Sequence, residues 1–153
     1  MKSRTLVSIL IIVLAVLIVT DNYVTASDKE VFFQSVRSGD YAGVKKLIEE
    51  GTDVNAQTKE GVPALMIASI IGHIEVAKLL IEEGADVNTR DNDGGTALIW
   101  ASQEGHTEVV KLLIKEEADV NAQNNVGYTA LMAASVSGHT EIVKLLKDAG
   151  AKE

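Results

Sequence analysis

Apolar residues recur along this chain with a period of 33 residues, and each period holds two short helical patterns. In one second pattern, Val76, Leu79 and Leu80 stand at the three-to-four spacing of a single helix face, and equivalent apolar residues return 33 and 66 positions later. Helices of eight to ten residues are too short to persist alone, because nucleation costs more than so few hydrogen bonds return. The pattern therefore predicts an all-α repeat solenoid in which each helix pair is stabilised by its neighbours.

Polar and glycine residues mark the ends of the predicted helices. Thr96 and Thr129 are placed to cap the first helix of their periods, since a hydroxyl can accept a backbone N–H there. Glycine ends each first helix, and a Gly-His pair turns the chain into the second helix. Between the second helix and the next period, a segment such as residues 84–88 leads to Gly94 or Gly127, where glycine permits a tight turn. We expect this connection to form a projecting hairpin.

These residues resemble the ankyrin repeat over roughly residues 28–153, from the glycine turn through Thr96-Ala97-Leu98 and the Gly-His pair to the Gly-Ala-Asp-Val-Asn segment. The resemblance implies helix-turn-helix units joined by hairpins, in about four repeats spanning residues 27–57, 58–90, 91–123 and 124–153. It also implies protein recognition through a concave side made of hairpin tips and first helices.

Several positions depart from the family pattern. Pro63 stands where the capping threonine belongs, and Glu117 replaces the helix-ending glycine found at Gly84. Glu117 is therefore expected to adopt a left-handed conformation, or else the turn relaxes, at a cost of about 1 kcal/mol. Lys147 replaces the isoleucine of the earlier repeats, which predicts a polar C-terminal cap. At the front, Ser27 and Glu30 stand at the spacing of a capping box.

The first 26 residues have the composition of an export leader. Lys2 and Arg4 precede an apolar run from Leu6 to Val19, and Ala26 closes a polar stretch. The segment is predicted to be a secretory signal peptide, or else an uncleaved membrane anchor through residues 5–20, although it falls short of the roughly 20 apolar residues that span a bilayer. Both interpretations place the repeats outside the cytoplasm of a bacterium, either in the periplasm or secreted from the cell.

Charge and composition narrow the partners. The whole chain has a net charge of −8, which disfavours nucleic acid because a nucleic-acid binder needs a basic face. The absence of cysteine excludes disulfides and thiolate chemistry. We expect no cofactor and a monomer.

The histidines and the acidic residues are the candidates for metal binding. His73, His106 and His139 occupy equivalent positions in repeats that stack roughly 8–10 Å apart, so they cannot share one metal ion, and a turn-fixing hydrogen bond is favoured. Acids at the ends of the second helices could attract calcium, but a solvated face is favoured. Trp100 is interpreted as packing between repeats, and no catalytic triad or phosphate loop is present.

The predicted binding surface follows from the resemblance and the 33-residue register. Six of its positions are apolar where exposure is expected, which is typical of an interaction site. The alternative for Ile70 and Ile71 is that they fill the groove between repeats. The predicted partner-binding residues are Arg37, Lys59, Glu60, Val62, Ile70, Ile71, Asn92, Asp93, Gln103, Glu104, Asn125, Val126, Tyr128 and Val136, with Ser38 and Ser137 beside them. The sequence thus predicts a non-enzymatic module that binds an unknown protein, as an adaptor or a stabilising subunit of an envelope protein. The alternatives are a membrane-tethered structural component of the envelope and a calcium-binding protein.

Overall fold

The computed structural model describes residues 28–152. The predicted leader and Ser27 of the predicted capping box lie outside these residues. The described part contains eight helices and no strand, only three isolated bridges, and none of its helices is long and apolar enough to cross a membrane. The helices are α1 (described over residues 28–38), α2 (Tyr41–Glu49), α3 (Ala64–Ile71), α4 (Ile74–Glu82), α5 (Ala97–Glu104), α6 (Thr107–Lys115), α7 (Ala130–Val136) and α8 (Thr140–Asp148).

The helices form two layers. The first helices α3, α5 and α7 pack side by side, and the second helices α2, α4, α6 and α8 do the same. Within repeats, α3 packs against α4, α5 against α6 and α7 against α8. Small residues such as Ala68, Ala101 and Ala134 are fully buried and let neighbouring first helices approach closely. Leucines of the second helices fill the space between the layers. The prediction of an all-α solenoid is therefore confirmed.

Local caps begin and end the helices as the residue types require. The Thr96 hydroxyl accepts the backbone N–H of Ile99, and Thr129 does the same for Met132, which confirms both predicted caps. Pro63 has no such group, and α3 begins without a side-chain cap. Gly105 ends α5 in the left-handed region with φ 81°, a conformation that glycine adopts without a Cβ penalty.

Each histidine bonds to the preceding repeat. The Nε2 atoms of His73, His106 and His139 lie 3.0, 2.9 and 3.0 Å from the carbonyl oxygens of residues 37, 70 and 103, and must donate to them. The prediction of a structural hydrogen bond is confirmed, but its partner lies at the end of the previous first helix and not in the histidine's own turn. The ring also covers the glycine that ends that helix, so a Cβ on Gly105 would lie 2.5 Å from the ring of His139.

A ladder of asparagines makes a second connection between repeats. Asn88 donates through Nδ2 to the carbonyl of Glu117 and accepts from the backbone N–H of Asp119, at 3.4 and 2.8 Å. Asn55 and Asn121 make the same pair of bonds, each to the repeat that follows. We call the histidine–carbonyl contacts and this asparagine ladder the seam between repeats.

Two further expectations concern single positions. Glu117 has φ 63° and is the only non-glycine residue with positive φ in the described part of the chain, so of the two predicted alternatives the structure shows the left-handed one. Lys147 is exposed while its isoleucine counterparts are half-buried, as a polar cap requires. Met132, in contrast, is 41% exposed, whereas its counterpart Met66, which the next repeat covers, is 1% exposed.

Candidate functional site

Hairpin tips and first helices border one surface of the stack. At its N-terminal end, a pocket of about 480 Å³ lies between α1 and the hairpin before α3. Its lining residues are Lys29, Glu30, Phe33 and Arg37 from α1, with Thr58, Lys59 and Glu60 from the hairpin. We call the exposed residues of the three hairpin tips and of the first-helix ends the tip face.

The three hairpin tips are built by one hydrogen-bond pattern. A side-chain oxygen of the residue before each tip accepts the backbone N–H groups of the residues two and four positions later. Asp91 accepts from Asp93 and Gly95 at 3.0 and 2.8 Å, and Thr58 and Asn124 fill the same role in the other tips. The glycine after each tip has positive φ. Each tip therefore holds its two exposed residues in a fixed conformation before any partner arrives.

Not every predicted binding residue is exposed. The exposed ones are Arg37, Lys59, Glu60, Ile71, Asn92, Asp93, Glu104, Asn125, Val126 and Val136, together with Ser38 and Ser137. Val62 and Tyr128 are half-buried and pack against the core, so the expectation that they are exposed is wrong. Both flank the glycine of a hairpin, where the chain returns towards the first helix and their side chains turn inwards. Ile70 and Gln103 are also half-buried, so the expectation that they are exposed is wrong as well.

Two predicted binding residues also connect the tips. The Nδ2 group of Asn92 donates to the carbonyl of Glu60 at 2.7 Å, and that of Asn125 donates to the carbonyl of Asn92 at 3.1 Å. The recurrence of asparagine 33 residues apart was the signal for this ladder. These two side chains therefore fix the spacing of the tips in addition to bordering the surface.

Charge changes along the tip face. Its first part carries Arg37 and Lys59, its middle carries Asp93 and Glu104, and its last part carries Val126, which is 86% exposed. The pKa of Glu60 is lowered, first by its hydrogen bond with the Thr58 side chain, then by its own backbone N–H and by the charges of the two cations. Glu60 is thus held in its ionised form beside the pocket.

Sequence reasoning missed four lining residues of the pocket. Lys29, Glu30, Phe33 and Thr58 line it although none belongs to the predicted set. Because Phe33 is 3% exposed, it forms the floor while the charged side chains stand at the rim. The period of 33 could not indicate these residues, because the position of α1 against the first hairpin brings them together and does not follow from spacing along the chain.

The remaining chemical groups serve structural bonds. The Trp100 indole N–H donates to Asp91 at 2.9 Å, so this carboxylate is shared between the ring and the hairpin turn. The carboxylate of Asp86 accepts the backbone N–H of Asn88, and its counterparts at 53 and 119 do the same. Within residues 28–152, no group of three or more histidine, aspartate or glutamate side chains is placed to hold a metal ion.

Comparison with protein families gives two matches. The family model described as "Ankyrin repeats (3 copies)" matches residues 32–124, and the one described as "Ankyrin repeat" matches residues 126–152. A comparison with curated proteins returns no match.

Proposed function

Because the chain belongs to the ankyrin repeat family, we propose that it captures a protein partner through its tip face. Ankyrin repeats generally mediate protein–protein interaction, and proteins built from them are typically binding modules without enzymatic activity. The proposal for this chain is a monomeric adaptor or stabilising subunit that holds another protein.

The observation that carries the proposal is a rigid frame with variable residues on it. The turn bonds and the tip ladder fix the hairpins, so few degrees of freedom are lost when a partner binds. On this frame the exposed tip residues change from Lys59-Glu60 to Asn92-Asp93 to Asn125-Val126. Variation on a fixed frame is what selective recognition of one partner requires.

The apolar end of the face supplies the second support. Val126 and Val136 are 86% and 79% exposed, and one lies on a tip while the other ends α7. Exposed apolar surface is costly in water and is removed from it when a partner binds. These two side chains are therefore our candidates for the apolar anchor of the interface.

We propose in addition that the module works outside the cytoplasm. The support is the basic start and apolar run of residues 1–26. If the leader is cleaved, the module is periplasmic or secreted, and its partner is an envelope protein. If the leader stays, the chain is a membrane-tethered component of the envelope. Mass spectrometry of the mature N-terminus distinguishes these two forms.

The test removes the apolar anchor without touching the core. In the double substitution Val126→Ser and Val136→Ser, we expect stability to change by less than about 0.5 kcal/mol, since both side chains are exposed. A protein recovered from the cell envelope with the wild-type chain and identified by mass spectrometry should be lost with this variant. The matched control is Tyr41→Ser, which removes an exposed aromatic side chain outside the tip face. Equal recovery with all three chains would refute the proposed face.

A further inference from the structure

We propose that the pocket between α1 and the first hairpin binds a carboxylate side chain of the partner. The bound segment would then carry three residues in a fixed order: an acidic residue in this pocket, a basic residue beside Asp93 and Glu104, and an apolar residue against Val126. This inference rests on the proposed function, and it adds the chemistry of the partner to it.

Three cations and two acids line the pocket. The cations are Lys29, Arg37 and Lys59, and the acids are Glu30 and Glu60. None of the three cations forms an ion pair within 4 Å in the part of the chain that the structure describes. The guanidinium of Arg37 therefore keeps its planar fork available for a carboxylate, which it can bind through two parallel N–H···O bonds.

The charge of this pocket differs from that of the rest of the domain. Residues 27–153 carry a net charge of −9, since the first 26 residues contribute +1 to the total of −8. Along the second helices, lysines are paired with acids, as in Lys78 with Glu82 and Lys111 with both Glu108 and Glu141. Three cations against two acids give the pocket an excess of positive charge, so it attracts a carboxylate that most of this acidic surface repels.

Phe33 forms the floor of the pocket. It is 3% exposed and lies beneath the charged rim. An ion pair formed over an apolar floor is screened less than one on an open helix surface. The methylene groups of an aspartate or glutamate side chain would lie on the ring while its carboxylate reaches the rim.

The spacing of the hairpins sets the length of the bound segment. The first and third hairpins are two repeats apart, which is about 16–20 Å for neighbouring repeats 8–10 Å apart. An extended chain rises about 3.3 Å per residue, so about six residues span this distance. Along it the surface changes from basic to acidic to apolar, and charge complementarity then fixes the direction in which a segment of opposite pattern lies.

The experiment selects peptides with the full chain as bait. A phage-displayed library of random 12-residue peptides is panned against the immobilised wild-type protein, against the double variant Arg37→Glu and Lys59→Glu, and against Lys45→Glu. Lys45 is an exposed lysine on α2 outside the pocket and forms no ion pair among the described residues, so Lys45→Glu controls for one charge reversal placed elsewhere, a change of −2 against −4 in the double variant. Thermal unfolding confirms that each variant is folded.

We expect wild-type and Lys45→Glu baits to enrich peptides with an acidic end and an apolar end, and the double variant to lose this acidic preference. A synthetic wild-type-selected peptide should bind the double variant at least tenfold more weakly, and Lys45→Glu within about twofold of wild type. Replacing its acidic residue with lysine should recover binding to the double variant.

Two results would count against the inference, and they differ in meaning. If the selected peptides lose binding with the Val126→Ser and Val136→Ser variant but bind the Arg37→Glu and Lys59→Glu variant as tightly as wild type, the tip face is correct and the acidic order is wrong. If the wild-type chain enriches no peptide, or only peptides indifferent to every tip-face substitution, the proposed function fails together with this inference.

Discussion

The seam between repeats and the tip face belong to the same repeats, but their residues differ in how much they vary from one repeat to the next. At the seam, histidine at 73, 106 and 139 and asparagine at 55, 88 and 121 are repeated without change. On the tip face, Asn92 and Asn125 recur because they join the tips, whereas residues at the other equivalent positions differ in charge, size and polarity. A bond that joins one repeat to the next needs the same donor and acceptor at every step, because the geometry recurs. Positions outside those bonds are free to diverge, and recognition can use them.

The largest effect that we expect comes from Gly105→Ala at the seam. The new Cβ would require a left-handed alanine and would lie 2.5 Å from the His139 ring, which must then move away from its carbonyl partner. We expect a loss of about 2–3 kcal/mol in the free energy of unfolding, from the backbone cost and a weakened hydrogen bond. Urea denaturation measures it.

The control for this substitution is Gly138→Ala. Gly138 has the same left-handed backbone, with φ 77°, but nothing within 4 Å of its added Cβ. Its loss should be about 1 kcal/mol, the cost of the backbone conformation alone. Equal losses at both glycines would show that the histidine contact contributes nothing to the seam.

The second prediction compares the two asparagine ladders directly. Asn88→Ala removes two hydrogen bonds between repeats, whereas Asn92→Ala removes one bond between tips. We expect the first substitution to cost about 1–2 kcal/mol and the second less than about 1 kcal/mol. Denaturation of both variants under identical conditions tests this order. A larger loss at Asn92 would make the tips the main connection between repeats, and the contrast between seam and face would fail.

Much of the seam could be read from the sequence, and less of the face. The 33-residue register predicted the helix pairs, the threonine caps and the strained turn at Glu117, because each depends on residues close in the chain. The register could not show that each histidine bonds to the preceding repeat, since the acceptor is a backbone carbonyl and leaves no mark in the sequence. The inward turn of Val62 and Tyr128 depends on how the hairpin returns to the helix layer, and the pocket beside Arg37 depends on where α1 lies against the first hairpin.

A smaller effect is expected from Glu117→Gly, at the one seam turn where the residue pattern breaks. Relief of left-handed strain of about 1–2 kcal/mol is offset by about 0.4–1 kcal/mol from the greater freedom of glycine in the unfolded chain. We therefore expect a net stabilisation of about 0.5–1 kcal/mol. The reciprocal substitution Gly84→Glu, at a turn where a Cβ meets nothing within 4 Å, should destabilise by a comparable amount. No change in either variant would show that this turn tolerates any residue.

The smallest effect is a titration on the tip face. The pKa of Glu60 lies below the value of 4.5 for a free glutamate, and the Thr58 side chain contributes more than the charges of Arg37 and Lys59. A depressed folded-state pKa stabilises the fold above the unfolded value, and this contribution is lost as the pH falls through the folded pKa. Acid sensitivity from this group should therefore appear below pH 4.5 and be absent in Glu60→Gln.

NMR titration of the Glu60 carboxyl carbon distinguishes the causes. Thr58→Val should raise the pKa most, because it removes the hydrogen bond between the Thr58 side chain and the Glu60 carboxylate, while Lys59→Met and Arg37→Met should raise it less. This order would mean that the tip fixes its own acid through local bonds, as a preformed frame does. If Arg37→Met gave the largest rise instead, the cations of the pocket would already be engaged with Glu60, and a partner carboxylate would have to compete with it. The titration therefore tests whether the charged end of the tip face is a prepared site or a closed ion pair.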